Sequence, residues 1–131
     1  MSLVLDAHAL MAFLEKEPGC EKIIEMFLEA IEKAEPLLMT TINYGEVIYV
    51  VLRECGEQKT RDIEELIGNL PVSIVDVDLK ITREAARFKA FHALSYADCF
   101  AAALAKARGA QLVTGDKEFM ALEKDISILR L

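Results

Sequence analysis

The chain of 131 residues is long enough to bury the core of one domain, and its hydrophobic fraction of 53% argues against a disordered protein. No apolar run reaches the roughly 18–20 residues that span a bilayer. The opening segment also lacks the basic residues of a signal peptide and carries Asp6. The net charge of −7 argues against general coating of nucleic acid, which usually needs a basic domain. We therefore expect one cytoplasmic domain, residues 1–131, without a membrane segment.

Short apolar segments alternate with amphipathic segments along the whole chain. In chain order the predicted elements are a strand at Leu3–Leu5, helices at Ala7–Glu15 and Glu21–Lys33, a strand at Leu37–Thr41, helices at Ile42–Glu54 and Gln58–Leu70, a strand at Val72–Val77, helices at Leu79–His92 and Ser95–Arg108, a strand at Ala110–Thr114, a helix at Asp116–Glu123 and a strand at Ile126–Leu131. This alternation predicts an α/β fold with a central, mostly parallel sheet and helices on both faces.

Two of the predicted helices have unusual surfaces. The helix Ile42–Glu54 is apolar on nearly every side, which predicts a place in the interior or at a subunit contact. The helix Leu79–His92 has a basic side, formed by Arg83, Arg87 and Lys89.

Two aspartates follow predicted strands directly. Asp6 comes after Leu3–Leu5, and Asp116 follows the fourth strand through Gly115. Each has an ordinary alternative explanation, because Asp is a preferred N-cap and is also frequent in turns. In an open parallel sheet, however, ligands bind beyond the carboxyl ends of the strands.

Two further acids stand near the starts of predicted helices, among largely apolar neighbours. Glu46 could be explained by the helix dipole, which favours acids in the first turn. Asp98 has the S-x-x-D spacing of a capping box with Ser95. A cap can still point its carboxylate into a cleft, and an unpaired buried carboxylate is costly.

The four acids gain significance from their shared position. Strand ends and helix starts lie at one edge of a parallel sheet, so Asp6, Glu46, Asp98 and Asp116 are expected to converge there. Carboxylates crowded together repel one another unless a cation holds them. Ligands that are all oxygen favour a hard ion, Mg²⁺ or Mn²⁺, rather than zinc.

The histidines and cysteines form no catalytic or zinc-binding pattern. His8 and His92 are too far apart in the sequence pattern to suggest a pair. We expect His8 to pack or hydrogen-bond beside Asp6 rather than to bind metal. The three cysteines are widely spaced among apolar residues and are expected to be buried, reduced thiols.

With these residues assembled, the sequence resembles a PIN domain, and specifically the toxin nuclease of the VapBC type. Four motifs carry the resemblance, and in order they cover essentially the whole chain. They are Leu-Asp6-Ala-His8-Ala-Leu, Thr41-Ile-Asn43-Tyr-Gly-Glu46-Val, Leu94-Ser95-Tyr96-Ala97-Asp98-Cys-Phe-Ala-Ala-Ala and Leu112-Val-Thr114-Gly115-Asp116-Lys-Glu118-Phe119. Each motif is short, but all four in the correct order and spacing are specific. His8 departs from the pattern, because many members have Ser or Thr there.

The resemblance implies a three-layer α/β/α fold and a metal-binding quartet. The implied quartet is Asp6, Glu46, Asp98 and Asp116, and the implied supporting residues are Thr114, Asn43 and Glu118, the last as an outer acid. The implied activity is that of an endoribonuclease, which hydrolyses RNA phosphodiester bonds with a water activated by Mg²⁺ or Mn²⁺. This reaction leaves a 5′-phosphate and needs no 2′-hydroxyl nucleophile.

The resemblance also implies three kinds of partner. RNA could be contacted by the basic residues Arg83, Arg87, Lys89 and Lys117, although a solvated helix face explains them equally well. Family members are similar in forming homodimers through their early helices and in being inhibited by a small antitoxin protein inserted over the cleft. The apolar face of Ile42–Leu52 and the helix Glu21–Lys33 are candidate contact surfaces.

Two alternatives compete with a nuclease. Asp76-Val77-Asp78 is similar to the D-x-D motif of haloacid-dehalogenase-like phosphatases, but too little chain follows it to complete that fold. The more serious alternative is a catalytically silent PIN-like module that binds RNA or protein. Four mutually repelling acids argue against this module, because it has no use for them.

Overall fold

The computed structural model describes residues 2–131 of the chain. In chain order its elements are β1 (Leu3–Leu5), α1 (Ala7–Leu14), α2 (Cys20–Lys33), β2 (Leu37–Thr40), α3 (Thr41–Gly68), β3 (Val72–Val75), α4 (Leu79–Phe91), α5 (Tyr96–Arg108), β4 (Gln111–Thr114), a 3₁₀ helix (Lys117–Leu122) and β5 (Ser127–Arg130). The five strands in this part of the chain form one sheet in the order β3-β2-β1-β4-β5, and all neighbours are parallel.

Alternate residues of the central strands supply two hydrophobic clusters, one on each face of the sheet. Val4 and Leu112 point into the cluster that α4, α5 and the 3₁₀ helix cover. Leu5 and Val113, the next residues, point into the cluster that α1, α2 and α3 cover. This alternation follows from the two-residue period of a β-strand. The helix–sheet–helix layers predicted from the sequence are therefore confirmed.

The order of the strands reverses between β1 and β4. The chain first adds β2 and β3 on one side of β1, and then returns through α4 and α5 to place β4 on the other side. A crevice forms where the connections leave such a sheet in opposite directions, beyond the carboxyl ends of the two strands. Asp6 and Gly115 directly follow β1 and β4 at this crevice.

Gly56 interrupts α3, as the sequence predicted for the boundary between two helices. Its dihedral angles, φ 86° and ψ 178°, lie in a region that is essentially restricted to glycine. The predicted helices Ile42–Glu54 and Gln58–Leu70 therefore correspond to two helices that meet at a kink at Gly56 within α3.

Two predicted elements differ from the structure. The helix predicted at Asp116–Glu123 is a short 3₁₀ helix, and Asp116 caps it from outside by accepting a hydrogen bond from the N–H of Glu118 at 2.8 Å. The strand predicted to reach Val77 ends at Val75, because the chain turns toward α4, where Asp78 is the N-cap.

The first half of α3 lies partly at the surface. Val47 and Val51 are buried, but Tyr49 and Leu52 are exposed. Cys55, which precedes the break at Gly56, is exposed as well, and Cys20 is only partly buried. The prediction of three buried thiols is therefore correct for Cys99 alone. Among residues 2–131, none of the helices combines the length and hydropathy of a membrane span.

Candidate active site

Asp6 is fixed by two hydrogen bonds at the crevice between β1 and β4. One carboxylate oxygen accepts the N–H of Ala9 at 2.7 Å and so caps α1, while the other accepts the hydroxyl of Thr114. The side chain is almost completely buried, with a relative exposure of 1%. The capping explanation for Asp6 is therefore correct, and it coexists with the position at the strand end.

Thr114 links Asp6 to Asp116. Leu5 and Val113 are paired in the sheet, so the residues that follow them are neighbours across the same edge. The Thr114 hydroxyl donates to Asp6 and accepts the N–H of Asp116 at 2.9 Å. One buried hydroxyl thus sets the relative positions of the carboxylate after β1 and the turn after β4.

Asn43 connects three elements on the other side of the crevice. Its side-chain oxygen accepts the hydroxyl of Thr40 at 2.6 Å, and its amide donates to Glu46 at 3.0 Å and to the carbonyl of Ala97 at 3.1 Å. Asn43 is fully buried. It therefore orients the Glu46 carboxylate and holds the start of α5, which carries Asp98, against α3.

Three carboxylates come together in front of these supports. One oxygen from each of Asp98, Asp116 and Glu118 can be chosen so that all three lie within 4.8 Å of one another. Asp98 and Asp116 are half-buried and Glu118 is exposed. Asp6 and Glu46 lie outside this group of three. Glu118, expected as an outer acid, belongs to the group itself.

Asp98 is electrostatically coupled to all four other acids. Burial raises the pKa of Asp98, and the charges of Asp116 and Glu118 raise it further, against the lowering effect of the Ser95 hydroxyl. Burial, followed by the charge of Asp98, also raises the pKa of Glu46, although the Asn43 amide lowers it.

Asp6 shows the largest of these effects. Burial raises its pKa to about 6 despite the hydrogen bonds from Thr114 and Ala9, which lower it, and Asp98 contributes a small further increase. Desolvation is thus the dominant cause.

Among residues 2–131, no lysine or arginine forms an ion pair with these acids, although the charge of His8 lowers the pKa of Asp6 and of Asp98. The ion pairs within residues 2–131 lie elsewhere, at Lys33–Glu29, Arg53–Glu54 and Lys106–Glu84. Crowded, half-buried carboxylates without an ion-pair partner are unfavourable, and oxygen donors of this kind suit a hard divalent cation. The residues present therefore fit such an ion.

The comparisons with known proteins agree with this geometry. The model of the PIN domain family matches residues 3–125, which include all five acids. A VapC ribonuclease of Mycobacterium bovis is 32% identical over 124 residues, covering 89% of this chain and 92% of the relative. A ribonuclease VapC of Mycolicibacterium smegmatis is 32% identical over 126 residues, covering 89% and 93%. The chain belongs to the VapC ribonucleases of the PIN domain family.

A solved VapBC structure shares this PIN fold. The DNA-bound VapBC of Salmonella typhimurium aligns over 99% of this chain and 98% of its own chain with a TM-score of 0.80, at 20% sequence identity. At this identity the likeness establishes the fold alone.

His8, the residue that departs from the motif of many PIN domains, covers Gly115. A Cβ atom placed on Gly115 would lie 2.4 Å from Cε1 and 2.8 Å from Nδ1 of the imidazole, so the ring lies directly against the glycine. The charge of His8 also lowers the pKa of Asp6 and Asp98. The sequence indicated Gly115 only as a turn residue. The contact between Gly115 and the His8 ring depends on the packing of β1 beside β4.

The basic residues predicted to contact RNA have different environments in this PIN domain. Arg83 and Arg87 are exposed on α4, and Lys117 is exposed between Asp116 and Glu118. Lys89 instead donates a hydrogen bond to the carbonyl of Leu94 at 2.7 Å, which fixes the connection between α4 and α5. His92 lies near Phe88, with ring centroids 6.3 Å apart, and takes no part in the acidic cluster.

Proposed function

We propose that this VapC family member is a metal-dependent endoribonuclease and the toxin of a toxin–antitoxin pair. The observation that carries the proposal is the group of carboxylates at Asp98, Asp116 and Glu118, with Asp6 and Glu46 electrostatically coupled to it and no ion pair to any of the five within residues 2–131. A scaffold or binding module has no need of such a concentration of negative charge. The names of the mycobacterial relatives, which are ribonucleases, support the same activity.

Mg²⁺ or Mn²⁺ is the proposed cofactor, held by Asp6, Glu46, Asp98 and Asp116, with Glu118 in support. When bound, such an ion neutralises charge on phosphate oxygens and lowers the pKa of a bound water. The proposed reaction is hydrolysis of an RNA phosphodiester bond by water, which yields a 5′-phosphate and a 3′-hydroxyl.

The protein's own contribution is to hold the carboxylates in place before substrate arrives. Thr114 and the N–H of Ala9 fix Asp6, Asn43 fixes Glu46, and the N–H of Glu118 fixes Asp116. Charged groups that are already oriented need little reorganisation during the reaction. Arg83, Arg87 and Lys117 are proposed to contact the RNA backbone, whereas Lys89 serves mainly to hold the α4–α5 connection.

The proposed partners are a second copy of the chain and an antitoxin that covers the cleft, and we propose that they meet in the cytoplasm. Ile24, Leu28 and Ile31 form an exposed apolar stripe on α2, and Tyr49 and Leu52 are exposed on α3. Unpaired apolar side chains at helical spacing are typical of a protein contact surface. The Salmonella protein, a VapBC complex, supports an antitoxin partner.

The proposal is tested by incubating the full chain with structured RNA in Mg²⁺, in Mn²⁺ and in EDTA. We expect cleavage that requires the cation, and products with 5′-phosphate ends. Asp98→Asn should reduce the rate by at least about 100-fold, the size of effect seen when one key electrostatic group is removed.

Asp78→Asn is the matched control for this substitution. Asp78 also caps a helix, accepting the N–H of Ile81 at 2.8 Å, but it lies outside the acidic cluster. It should therefore retain full activity. Equal cleavage by Asp98→Asn and the wild type would refute the proposal.

A further inference from the structure

The charge of the chain is divided between two regions. Residues 79–108, which form α4, α5 and their connection, carry six basic and two acidic residues. The rest of the chain carries nine basic and twenty acidic residues. This helical hairpin therefore has an excess of basic residues on a protein whose net charge is −7. Such a patch is typical of a surface that binds a polyanion.

The exposed side of α4 combines these charges with an aromatic ring. Lys80, Arg83, Arg87 and Phe91 are spaced by three, four and four residues, so they follow one another along one side of the helix. All four are exposed, and Phe91 has a relative exposure of 80%. Within residues 2–131 it is the only exposed phenylalanine among the six in the chain.

Tyr96 provides a second exposed ring at the same end of the hairpin. Phe91 ends α4 and Tyr96 begins α5, and Lys89 holds the short connection between them through its bond to Leu94. The Tyr96 ring packs edge-on against the buried Phe100, with centroids 4.9 Å apart, but remains 47% exposed. Tyr96 is therefore fixed in orientation and still open on one side.

The width of α5 separates the Tyr96 ring from the acidic cluster. Tyr96 and Asp98 are two residues apart in the first turn of α5, so they lie on nearly opposite sides of one helix. A helix is roughly 10 Å wide. At least about three stacked nucleotides, at about 3.4 Å each, are needed to span that distance.

We propose that Phe91 and Tyr96 form a stacking platform for an unpaired base, at least about three nucleotides from the bond that is cut. The basic side of α4 would track the adjoining phosphates. The stacked base must be unpaired, because a base inside a duplex cannot reach a protein ring. This inference rests on the proposed endoribonuclease function. Charge complementarity favours RNA here over a protein partner.

Binding is tested in the Asp98→Asn background with EDTA, so that no strand is cut. The probes are a single-stranded oligoribonucleotide and the same strand annealed to its complement, with 2-aminopurine placed at each position in turn. Phe91→Leu and Tyr96→Leu keep apolar bulk but remove the ring. Each should weaken binding of the single strand by roughly 5- to 150-fold, the range for loss of one base–aromatic stack, and should abolish quenching of 2-aminopurine at one position.

Conservative variants and a matched control complete the design. Phe91→Tyr and Tyr96→Phe retain a ring and should bind as the parent does. Leu79→Ala removes an apolar side chain that is 82% exposed at the other end of α4, and it should also leave binding unchanged. The duplex should bind less tightly than the single strand and should be little affected by the loss of either ring.

Three results would overturn the proposal. The first is that Phe91→Leu binds the single strand as tightly as the parent does. The second is that loss of a ring weakens the binding of duplex and of single strand equally. The third is that loss of a ring lowers the oligomeric mass of the protein without changing its affinity for RNA. The last result would assign the surface to a protein contact.

Cleavage in Mg²⁺ separates the platform proposal from the endoribonuclease proposal. If the wild type cleaves and Phe91→Leu has unchanged kcat and KM, only the platform fails; if the wild type does not cleave, the endoribonuclease proposal fails.

Discussion

The hydroxyl of Thr114 donates a hydrogen bond to the carboxylate of Asp6, and the two residues are 108 positions apart in the chain. The same hydroxyl accepts the N–H of Asp116. Thr114 therefore holds together the two strand ends that form the crevice, and several tests follow from this arrangement.

Removal of the Thr114 hydroxyl should destabilise the protein and alter Asp6. Thr114→Val keeps the shape of the side chain but leaves one carboxylate oxygen of Asp6 and the N–H of Asp116 without their hydrogen-bond partner. We expect the free energy of unfolding to fall by about 1–3 kcal/mol, measured by urea denaturation. The pKa of Asp6 should rise in this variant, because the hydrogen bond from Thr114 lowers that pKa in the wild type.

Thr82→Val is the control for this substitution. Its hydroxyl donates to the carbonyl of Asp78 on the exposed side of α4, so its loss should cost less than about 0.5 kcal/mol. An equal loss of stability in the two variants would contradict the role assigned to Thr114.

The metal-free protein should lose stability as the pH rises through about 6. Burial raises the pKa of Asp6 from 3.8 to about 6, so the folded protein holds a proton that the unfolded chain releases near pH 4. The stabilisation from protonated Asp6 is complete below pH 4 and is lost between pH 4 and 6. It amounts to about 3 kcal/mol, since each pKa unit corresponds to about 1.4 kcal/mol.

Asp6→Asn should remove most of this pH dependence, because Asn is neutral and also caps helices well. Urea denaturation at pH 4, 5, 6 and 7 in EDTA measures the effect. If the free energy of unfolding changes with pH equally in the wild type and in Asp6→Asn, Asp6 is not the source of the pH dependence.

Asn43 should contribute more to stability than an asparagine at the surface. Asn43→Ala removes the bonds to Thr40, Glu46 and Ala97, and leaves the Ala97 carbonyl without this donor. We expect a loss of about 2–4 kcal/mol, because more than one buried hydrogen bond is broken. Asn69→Ala, which removes one exposed bond to Glu65, should cost less than about 1 kcal/mol. Thermal denaturation of both variants measures the two losses of stability, and equal losses would contradict the role assigned to Asn43.

The conformation of Gly56 predicts that even a small side chain will be destabilising. Gly56→Ala meets no atom within 4 Å, so any cost comes from the backbone angles alone. We expect a loss of about 1–3 kcal/mol. Gly45→Ala also meets no atom but has ordinary helical geometry, and it should stabilise the protein by about 0.5–1 kcal/mol. Calorimetry should show a lower melting temperature for Gly56→Ala and a higher one for Gly45→Ala. Stabilisation by both substitutions would contradict this explanation.

Much of the site could be predicted because its signals are local. A carboxylate placed directly after an apolar strand, as at Asp6, can be read from adjacent residues, and parallel strands place such ends at one edge. The partners of these acids are not local. The bond from Asn43 to Ala97 joins residues 54 positions apart, and the contact of His8 with Gly115 also needs the assembled sheet.

The position of Glu118 could not be predicted for a related reason. The segment after β4 forms a 3₁₀ helix rather than the expected α-helix, and its tighter turn changes the direction of each side chain. Glu118 thereby joins Asp98 and Asp116 in the group of three. The sequence pattern does not distinguish these two kinds of helix over six residues.

Binding of a divalent cation by the acidic cluster can be measured by titrating the metal-free protein with Mn²⁺ while the melting temperature is followed. A cation at 100 times its Kd stabilises the folded state by about 2.7 kcal/mol, so the wild type and Asp78→Asn should gain several degrees. Asp98→Asn should gain none. If the melting temperature of the wild type does not change with Mn²⁺, or if it rises equally in Asp98→Asn, the acidic cluster is not a cation-binding site.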